Sequence, residues 1–376
     1  MKKFLSIVLL FIGVLVLAAV GINSQDQQLS DEVTEFLKTE VYFSPLETTD
    51  NAYPFLVGFG TSLDEDPVVA GIQILNSVMA DSGQPKDNLK FSVNDPAGVL
   101  GKMQDLKCFN DYACFNDPAT RAEVIQLVAD NQKLIDRYHK LITYKKFETL
   151  LPLTTQYTPN LRGIPSGHKL FISEISLSPE IFQDLLATDI QFWRRTLNSE
   201  TAGLVEKMTA TANLFKDYRL LEQMIRRDSR VRQLFKEELQ PLTEVESTIA
   251  NCLDFEGGVF IKTLLDTNNG ESAIVFDNLP NDRLIPVEHY FYKPNATANQ
   301  AYQDFIQLRA AAVKGSSALL KYEQQPVRPI EPAQMYYNPV GKLLLNKLDA
   351  EPSRSFSKHQ KKLEELDQLI KQIREI

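Results

Sequence analysis

The side chains that most often bind metals or perform catalysis are isolated from one another in this sequence. The four histidines, His139, His168, His289 and His359, stand alone, without the His-x-x-x-His spacing by which one helix binds zinc. Neither the Gly-x-Ser-x-Gly nucleophile elbow of serine hydrolases nor a phosphate-binding P-loop pattern occurs. The sequence therefore predicts no catalytic residue, no metal site and no cofactor.

One short motif has a catalytic precedent. Ser166-Gly-His-Lys169 fits the Ser-x-x-Lys pattern, which places a lysine one helical turn from a nucleophilic serine in penicillin-binding enzymes. The Lys-Thr-Gly strand of those enzymes is missing, and Ser355 to Lys358 matches the same pattern. We interpret Ser166 as a helix cap.

Trp193, Arg194 and Arg195 place the only tryptophan beside two cations. The first interpretation is a packed ring with salt bridges to neighbouring helices. The second is a groove that binds a carboxylate, because the guanidinium fork matches carboxylate geometry.

The cysteines bear on the compartment. Cys108 and Cys114 bracket a stretch of turn-forming residues, and in an oxidising compartment two cysteines this close are expected to form a disulfide. Two unpaired thiols or a metal site are the alternatives, although further ligands at metal spacing are missing. Cys252 lies in an apolar helical stretch and is predicted to be a small buried side chain.

The amino-terminal segment has the composition of a membrane span. Residues 4–22 are uncharged and follow Lys2 and Lys3, and as a helix they would extend about 28 Å, close to the thickness of bilayer hydrocarbon. Residues 1–23 are thus predicted to be an anchor in the bacterial inner membrane, crossing it once, with the body in the periplasm. The alternative is a signal peptide cleaved near Ala19-Val20-Gly21, which would release the body into the periplasm.

The body has the composition of a folded, mostly helical protein. Of 376 residues 43% are hydrophobic, enough for a substantial core, and the net charge of −9 argues against nucleic-acid binding. Asp66-Pro67, Asp117-Pro118 and Ser178-Pro179 each place a capping side chain before a proline suited to the first helical position, and Ser30 marks a further start. Apolar residues then recur every three or four positions, predicting helices over 118–147, 205–227, 229–240, 244–255 and 298–314.

The predicted fold class is mainly α: a multi-helix body behind a single amino-terminal transmembrane helix, with few or no strands. The body spans residues 24–350, and 151–167 is the best candidate for an internal linker that subdivides it. Residues 259–276 fit either a helix or a hairpin. On the helix that starts near 204, one apolar stripe is expected to face the core: Val205, Met208, Ala212, Phe215, Tyr218 and Leu221.

Residues 351–376 form a predicted amphipathic helix at the carboxy terminus. Its apolar side consists of Leu363, Leu366, Ile370 and Ile373. Two heptads are too few to predict a coiled coil. The helix either packs on its own domain or binds a protein partner or a second copy of the chain.

Several short stretches resemble a family of proteobacterial proteins with one amino-terminal membrane span and a helical, periplasmic body. They are Asn51 to Phe59, Phe192 to Arg195 running into Glu206 to Met208, Pro294 to Thr297 and Asn338 to Lys342. The resemblance implies a close cysteine pair, matched by Cys108 and Cys114, and favours a helix over residues 244–268. No activity is established for that family, so no catalytic residue carries over.

Two functions fit these observations. The first is a membrane-anchored envelope scaffold or binding protein without catalysis, which recognises a protein or peptide in a groove between helices. The alternative is an envelope hydrolase that acts on cell wall or peptide.

Overall fold

A computed structural model describes residues 13–14, 17–38, 50–80, 90–95, 98–105, 117–150, 159–178, 183–266, 290–326, 329–331, 335–350 and 355–376. Within these ranges the chain is mainly helical and no strand occurs, which confirms the prediction of a mainly α body; Asn51 and Lys146 form an isolated parallel bridge. The chain folds into two units. Unit 1 comprises Met1–Glu40 and Glu256–Ser357, and unit 2 comprises Val41–Phe255 and Lys358–Ile376.

The helices have the following bounds in chain order: α1 Asp31–Leu37, α2 Ala52–Gly58, α3 Pro67–Ala80, α4 Val99–Asp105, α5 Pro118–Asp130, α6 Gln132–Ile142, α7 Gly163–Leu177, α8 Gln183–Asn198, α9 Leu204–Arg227, α10 Val231–Leu234, α11 Ala250–Asp266, α12 Pro294–Val313, α13 Ser316–Glu323, α14 Pro339–Ala350 and α15 Phe356–Glu375.

Unit 1 has its own small core, built where α1, α12, α14 and the second part of α11 meet. Its buried side chains are Val33, Ile261, Leu264, Ala298, Ala301 and Leu345. Phe36 of α1 packs its ring 5.3 Å from the rings of both Tyr302 and Phe305 on α12. Residues 259–265, ambiguous in the sequence, are thus helical and help to form this core.

The polar residues that follow the apolar amino-terminal run are hydrogen-bonded into unit 1. Buried Asn23 donates to the carbonyls of Ala19 and Tyr336, and its own oxygen accepts from the Asn338 backbone N–H. Asp26 caps α12 from a distance, accepting the N–H groups of residues 295 and 296 at 2.8 and 3.2 Å. These hydrogen bonds attach the residues that directly follow the apolar segment to unit 1.

Most of the predicted membrane span lies outside the described residues. Residues 17–22 are helical, and among the described residues no helix has the length and apolarity needed to cross a membrane. Leu17 and Ile22 leave 71% and 49% of their surface exposed.

Unit 2 begins with two helices that cross at glycines. A Cβ on Gly58 of α2 would collide with the carbonyl oxygen of Pro67, and a Cβ on Gly71 of α3 would collide with that of Pro54. Only glycine lets the two backbones approach this closely. Arg137 of α6 then fixes the turn after α2 by donating to the carbonyls of residues 59, 61, 62 and 65.

The predicted helix over 118–147 is divided in two at Asn131. The Asn131 side chain donates to the carbonyls of Leu127 and Asn94 and accepts from the Asn94 N–H, so it competes with the helix for backbone partners. The second part, α6, ends at Ile142.

The predicted helix over 229–240 is mostly wrong, whereas the helix predicted over 244–255, and favoured by the resemblance over 244–268, forms from Ala250 to Asp266. Only α10, four residues long, forms in the first range, and α11 does not begin until Ala250. The turns between them place several carbonyls where Arg194 and Lys207 can bond to them, as described below. Side-chain cations thus replace the missing helical hydrogen bonds.

The remaining predicted boundaries can be placed on the structure. The unit boundaries fall after Glu40, Phe255 and Ser357, and the described part of the 151–167 segment lies in unit 2. Because α7 begins at Gly163, Ser166 lies inside this helix, and its interpretation as a cap is wrong.

Candidate functional site

Three titratable side chains from three helices meet in the core of unit 2. His168 of α7, Asp189 of α8 and Asp217 of α9 have no exposed surface. The imidazole Nε2 lies 2.7 Å from Asp217 Oδ1 and 3.1 Å from Asp189 Oδ2. Only the shorter contact, between Nε2 and Asp217 Oδ1, has the geometry of a hydrogen bond.

The two carboxylates are buried because they occupy core-facing positions of amphipathic helices. Asp189 is surrounded on α8 by Leu186, Ile190 and Trp193, at helical spacing and fully buried. On α9, Leu214 and Leu221 flank Asp217 in the same manner. The packing of these apolar neighbours carries the carboxylates into the core with them.

An aromatic chain orients Asp189. The Tyr138 hydroxyl donates to Asp189 Oδ1 at 2.8 Å, and Trp193 Nε1 donates to the Tyr138 oxygen at 2.8 Å. Phe171 closes the cluster, with its ring 5.1 Å from that of Tyr138 and 6.3 Å from that of His168. The cluster, defined as His168, Asp189 and Asp217, is therefore enclosed by rings.

Burial and proximity of like charges change the protonation of the cluster. Desolvation, followed by repulsion from Asp189, raises the pKa of Asp217 to about 7. Desolvation lowers the pKa of His168, but attraction to Asp217 and Asp189 outweighs it and the net direction is upward. Desolvation lowers the pKa of nearby Lys216 to about 8. The raised pKa values of Asp217 and His168 thus favour a proton on the cluster near neutrality, beside the Lys216 ammonium.

The chemistry open to this cluster is binding of a proton or a cation. Its three ligand atoms, one nitrogen and two carboxylate oxygens, lie within 4.8 Å of one another. A substrate cannot reach them, because all three side chains are sealed from solvent. The sequence interpretation missed the cluster, since the residues are far apart in the chain. The available signal was the presence of aspartates on the apolar faces of α8 and α9.

The structure resolves the two interpretations of Trp193, Arg194 and Arg195 in favour of packing. Trp193 is fully buried, and Arg194 forms a bidentate pair with Glu246 at 2.8 and 2.7 Å. Arg194 also donates to the carbonyls of residues 238, 240 and 241. Arg195 donates to the Tyr144 carbonyl, and burial lowers its pKa. These side chains hold the fold together.

The apolar side of the carboxy-terminal helix α15 is part of the core of unit 2. Leu363, Leu366, Ile370 and Ile373 are each at most 1% exposed. Gln360 and Asp367 of α15 tie it down further by accepting the backbone N–H groups of Ile249 and Leu242. Binding of a partner by these four side chains would need an accessible face, and the fold instead buries it.

An open groove lies beside that helix, between α9, Ile249 and the start of α15. Its volume is about 180 Å³, and it is lined by Leu204, Lys207, Met208, Thr211, Ala212, Phe215, Ile249, His359, Lys362 and Leu363. The predicted apolar stripe of α9 divides here. Tyr218 and Leu221 are buried as expected, whereas Val205 and Met208 are each 39% exposed and Ala212 is also exposed.

Two lysines border the groove in different ways. Lys207 is 1% exposed, donates to the carbonyls of Val245 and Thr248, and has its pKa lowered by burial. Lys207 therefore has a structural role in the wall of the groove, where it holds the 245–248 backbone against α9. Lys362 remains 62% exposed at its side chain, with its ammonium 5.7 Å from the Phe215 ring centre and 2.7 Å from Glu365. It therefore places an exposed ammonium, paired with Glu365, at the rim of the groove.

The other candidate residues are readily placed. Cys252 is fully buried and its thiol bonds to the Ile249 carbonyl, confirming the prediction, whereas Cys108 and Cys114 lie outside the described residues. His139 is paired with Glu174 at 2.8 Å. The Lys169 ammonium donates to Gln104 at 2.8 Å.

Comparisons with known proteins add no relative. No protein-family model, curated protein or solved structure matches this chain.

Proposed function

We propose that this chain is an envelope protein, held at the bacterial inner membrane by residues 4–22, whose periplasmic body binds a protein or peptide partner. The observation that carries this proposal is the groove of unit 2. It exposes Met208 and Ala212 on a helix whose opposite side is fully packed. Exposed apolar side chains grouped around a concavity are typical of interaction sites.

The size and charge of the groove favour a particular kind of partner. A volume of about 180 Å³ is smaller than the roughly 300–1,000 Å³ of most small-molecule pockets. It suits one large apolar side chain inserted as an anchor. The exposed Lys362 at the rim is paired with Glu365, but an ion pair this exposed is weak, so Lys362 favours a carboxylate of the partner beside that anchor. We therefore expect a peptide segment with a leucine or phenylalanine next to an aspartate or glutamate.

Binding fits the geometry better than the alternative, an envelope hydrolase. A hydrolase needs a reacting group that substrate can reach, and the His168, Asp189 and Asp217 cluster is sealed. Lys169, the base that the Ser-x-x-Lys pattern would supply, directs its ammonium to Gln104. Neither feature offers a carboxylate pair or a Ser–Lys pair at an open surface.

The retention of the amino-terminal segment is supported by contacts of unit 1. The Asn23 amide donates to the Ala19 carbonyl at 2.8 Å, and the Tyr290 hydroxyl donates to the Val20 carbonyl at 2.6 Å. Cleavage near Gly21 would remove both acceptors. The location is also the one that the family resemblance implies. Fractionation should find the full-length chain in the inner membrane, with the body digested by protease only after the outer membrane is permeabilised; full-length chain in the cytosol would contradict it.

Site-specific photo-crosslinking in intact membranes tests the groove. A photoreactive residue at Met208 should crosslink to a discrete protein, whereas one at Leu234, an exposed apolar residue of unit 2 outside the groove lining, should not. Two substitutions then identify the groove as the cause. Ala212→Trp, which fills the groove from an exposed position, should abolish the crosslink, and Ala212→Ser should retain it. Equal crosslinking from both positions, or no effect of Ala212→Trp, would contradict the proposal.

A further inference from the structure

The buried cluster of unit 2 has the composition and spacing of a metal site. One imidazole nitrogen and two carboxylate oxygens converge from α7, α8 and α9, within 4.8 Å of one another. We propose that His168, Asp189 and Asp217 bind one divalent first-row transition-metal ion, such as Zn²⁺, in the core of unit 2. A mixed nitrogen and oxygen donor set favours this class of ion over Mg²⁺ or Ca²⁺, which prefer oxygen ligands alone.

The observed distances lie close to those of a coordinated ion. Atoms that bind zinc tetrahedrally at 2.0–2.1 Å lie roughly 3.3 Å from one another. His168 Nε2 lies 2.7 Å from Asp217 Oδ1 and 3.1 Å from Asp189 Oδ2. To admit the ion, these two distances would lengthen by roughly half an ångström or less, and the two carboxylate oxygens, which lie at most 4.8 Å apart, would adjust to a similar separation. Small side-chain rotations provide such a shift without movement of the helices.

Unsatisfied acceptors provide an independent reason for a cation. Asp189 Oδ2 and Asp217 Oδ2 are fully buried and accept no hydrogen bond. Buried carboxylate oxygens are normally paired or bound to metal, because desolvation of an unpaired charge is costly. A divalent ion between these groups would bind Asp189 Oδ2 and neutralise both carboxylates while His168 stays uncharged.

The surroundings would orient two of the three ligands. Tyr138 donates to the other oxygen of Asp189, and Trp193 holds Tyr138 in turn, which is the kind of outer-shell support that metal ligands have. His168 departs from the usual pattern, since its Nδ1 has no hydrogen-bond partner. Its ring is instead held by packing against Tyr138 and Phe171, at centroid distances of 5.6 and 6.3 Å.

The test uses the full-length protein in detergent, unfolded and refolded in chelator, then exposed to Zn²⁺ or Mn²⁺. We expect the wild type to retain about one metal ion per chain after desalting, by elemental analysis, and to gain several degrees in Tm. His168→Gln and Asp217→Asn should lose both effects. His139→Gln is the matched control, because His139 also pairs with a carboxylate, Glu174, outside the cluster; it should behave as wild type.

Each result decides the matter. Metal retention with a Tm increase in the wild type and in His139→Gln, but not in the cluster variants, supports the site. An equal effect in His168→Gln places the metal elsewhere and overturns the proposal. No retained metal and no change in Tm in the wild type also overturns it, leaving a cluster that binds protons alone. The wild-type comparison keeps this test valid if a cluster variant fails to fold.

Discussion

Replacing Arg194 by methionine should sharply destabilise unit 2. Arg194 fastens the irregular segment between α10 and α11 to α8 through Glu246 and three carbonyls. Methionine keeps much of the apolar volume but removes every one of these donors. The Glu246 side chain, 5% exposed, would then be left as a buried carboxylate without its cation.

The expected magnitude follows from burial. Removing one partner of a buried ion pair typically costs about 3–5 kcal/mol. Because the Arg194 side chain is 14% exposed, we take the lower end, a loss of about 3 kcal/mol. Adding Glu246→Gln removes the stranded charge, so the double variant should be more stable than Arg194→Met alone.

Urea unfolding followed by tryptophan fluorescence measures this loss in the right unit. Trp193, the only tryptophan of the chain, is fully buried in unit 2. Arg230→Met is the matched control: Arg230 also pairs with a carboxylate, but its side chain is 89% exposed, and no measurable change is expected. A loss below about 1 kcal/mol for Arg194→Met, or one equal to that of the control, would refute the reasoning.

Three further predictions concern other parts of the fold. Gly71→Ala should lower the stability of unit 2 by about 1–3 kcal/mol or more, because the added Cβ would collide with the Pro54 backbone. Gly101→Ala, whose Cβ would meet nothing within 4 Å, should be neutral or stabilising, and urea denaturation curves compare the two variants. In metal-free protein, the pKa of Asp217 is about 7 against an ordinary value of 3.8, so between these values the folded protein binds more protons than the unfolded chain and loses stability as pH rises. The free energy of unfolding of the wild type minus that of Asp217→Asn should therefore decrease from pH 5 to pH 8. A constant difference would contradict this cause. Asn338→Ala should destabilise unit 1 by about 1–3 kcal/mol, because the Asn338 side chain accepts hydrogen bonds from the N–H groups of Lys293 and Gly341 and donates one to Thr297. Asn338 has a φ of 49°, so Asn338→Gly, which restores only backbone freedom, should recover a minor part of the lost stability. Thermal denaturation measures both changes.

The helix starts were predictable because their causes are local. Ser30, Asp66 and Asp117 each accept backbone N–H bonds in the first turn of the helix that follows, as expected of capping residue types placed just before a helical pattern. The periodicity of α9 and α15 was equally clear. Periodicity could not predict where a helix ends early. The helix ends at Asn131 because the Asn131 side chain bonds to the backbone of Asn94, which is distant in the chain.

The sites depended on tertiary packing and were therefore only partly predictable. The stripe on α9 was recognised as apolar, but its division into a buried part and a groove depends on where α15 packs. Asp189 and Asp217 could have been flagged as acids on apolar helix faces, yet nothing in the spacing of three separate helices predicts that both meet His168. Likewise, Arg194 and Lys207 donate hydrogen bonds to backbone carbonyls of a segment that the sequence predicted to be helical.

The affinity of the purified full-length protein, in detergent, for the segment that Met208 crosslinks tests the central claim most directly. Isothermal titration with the synthetic peptide should give measurable binding to the wild type and to Ala212→Ser. Ala212→Trp should bind at least about tenfold more weakly, since filling the groove excludes the apolar anchor. Equal affinity for all three proteins would contradict the assignment of the groove as the binding site.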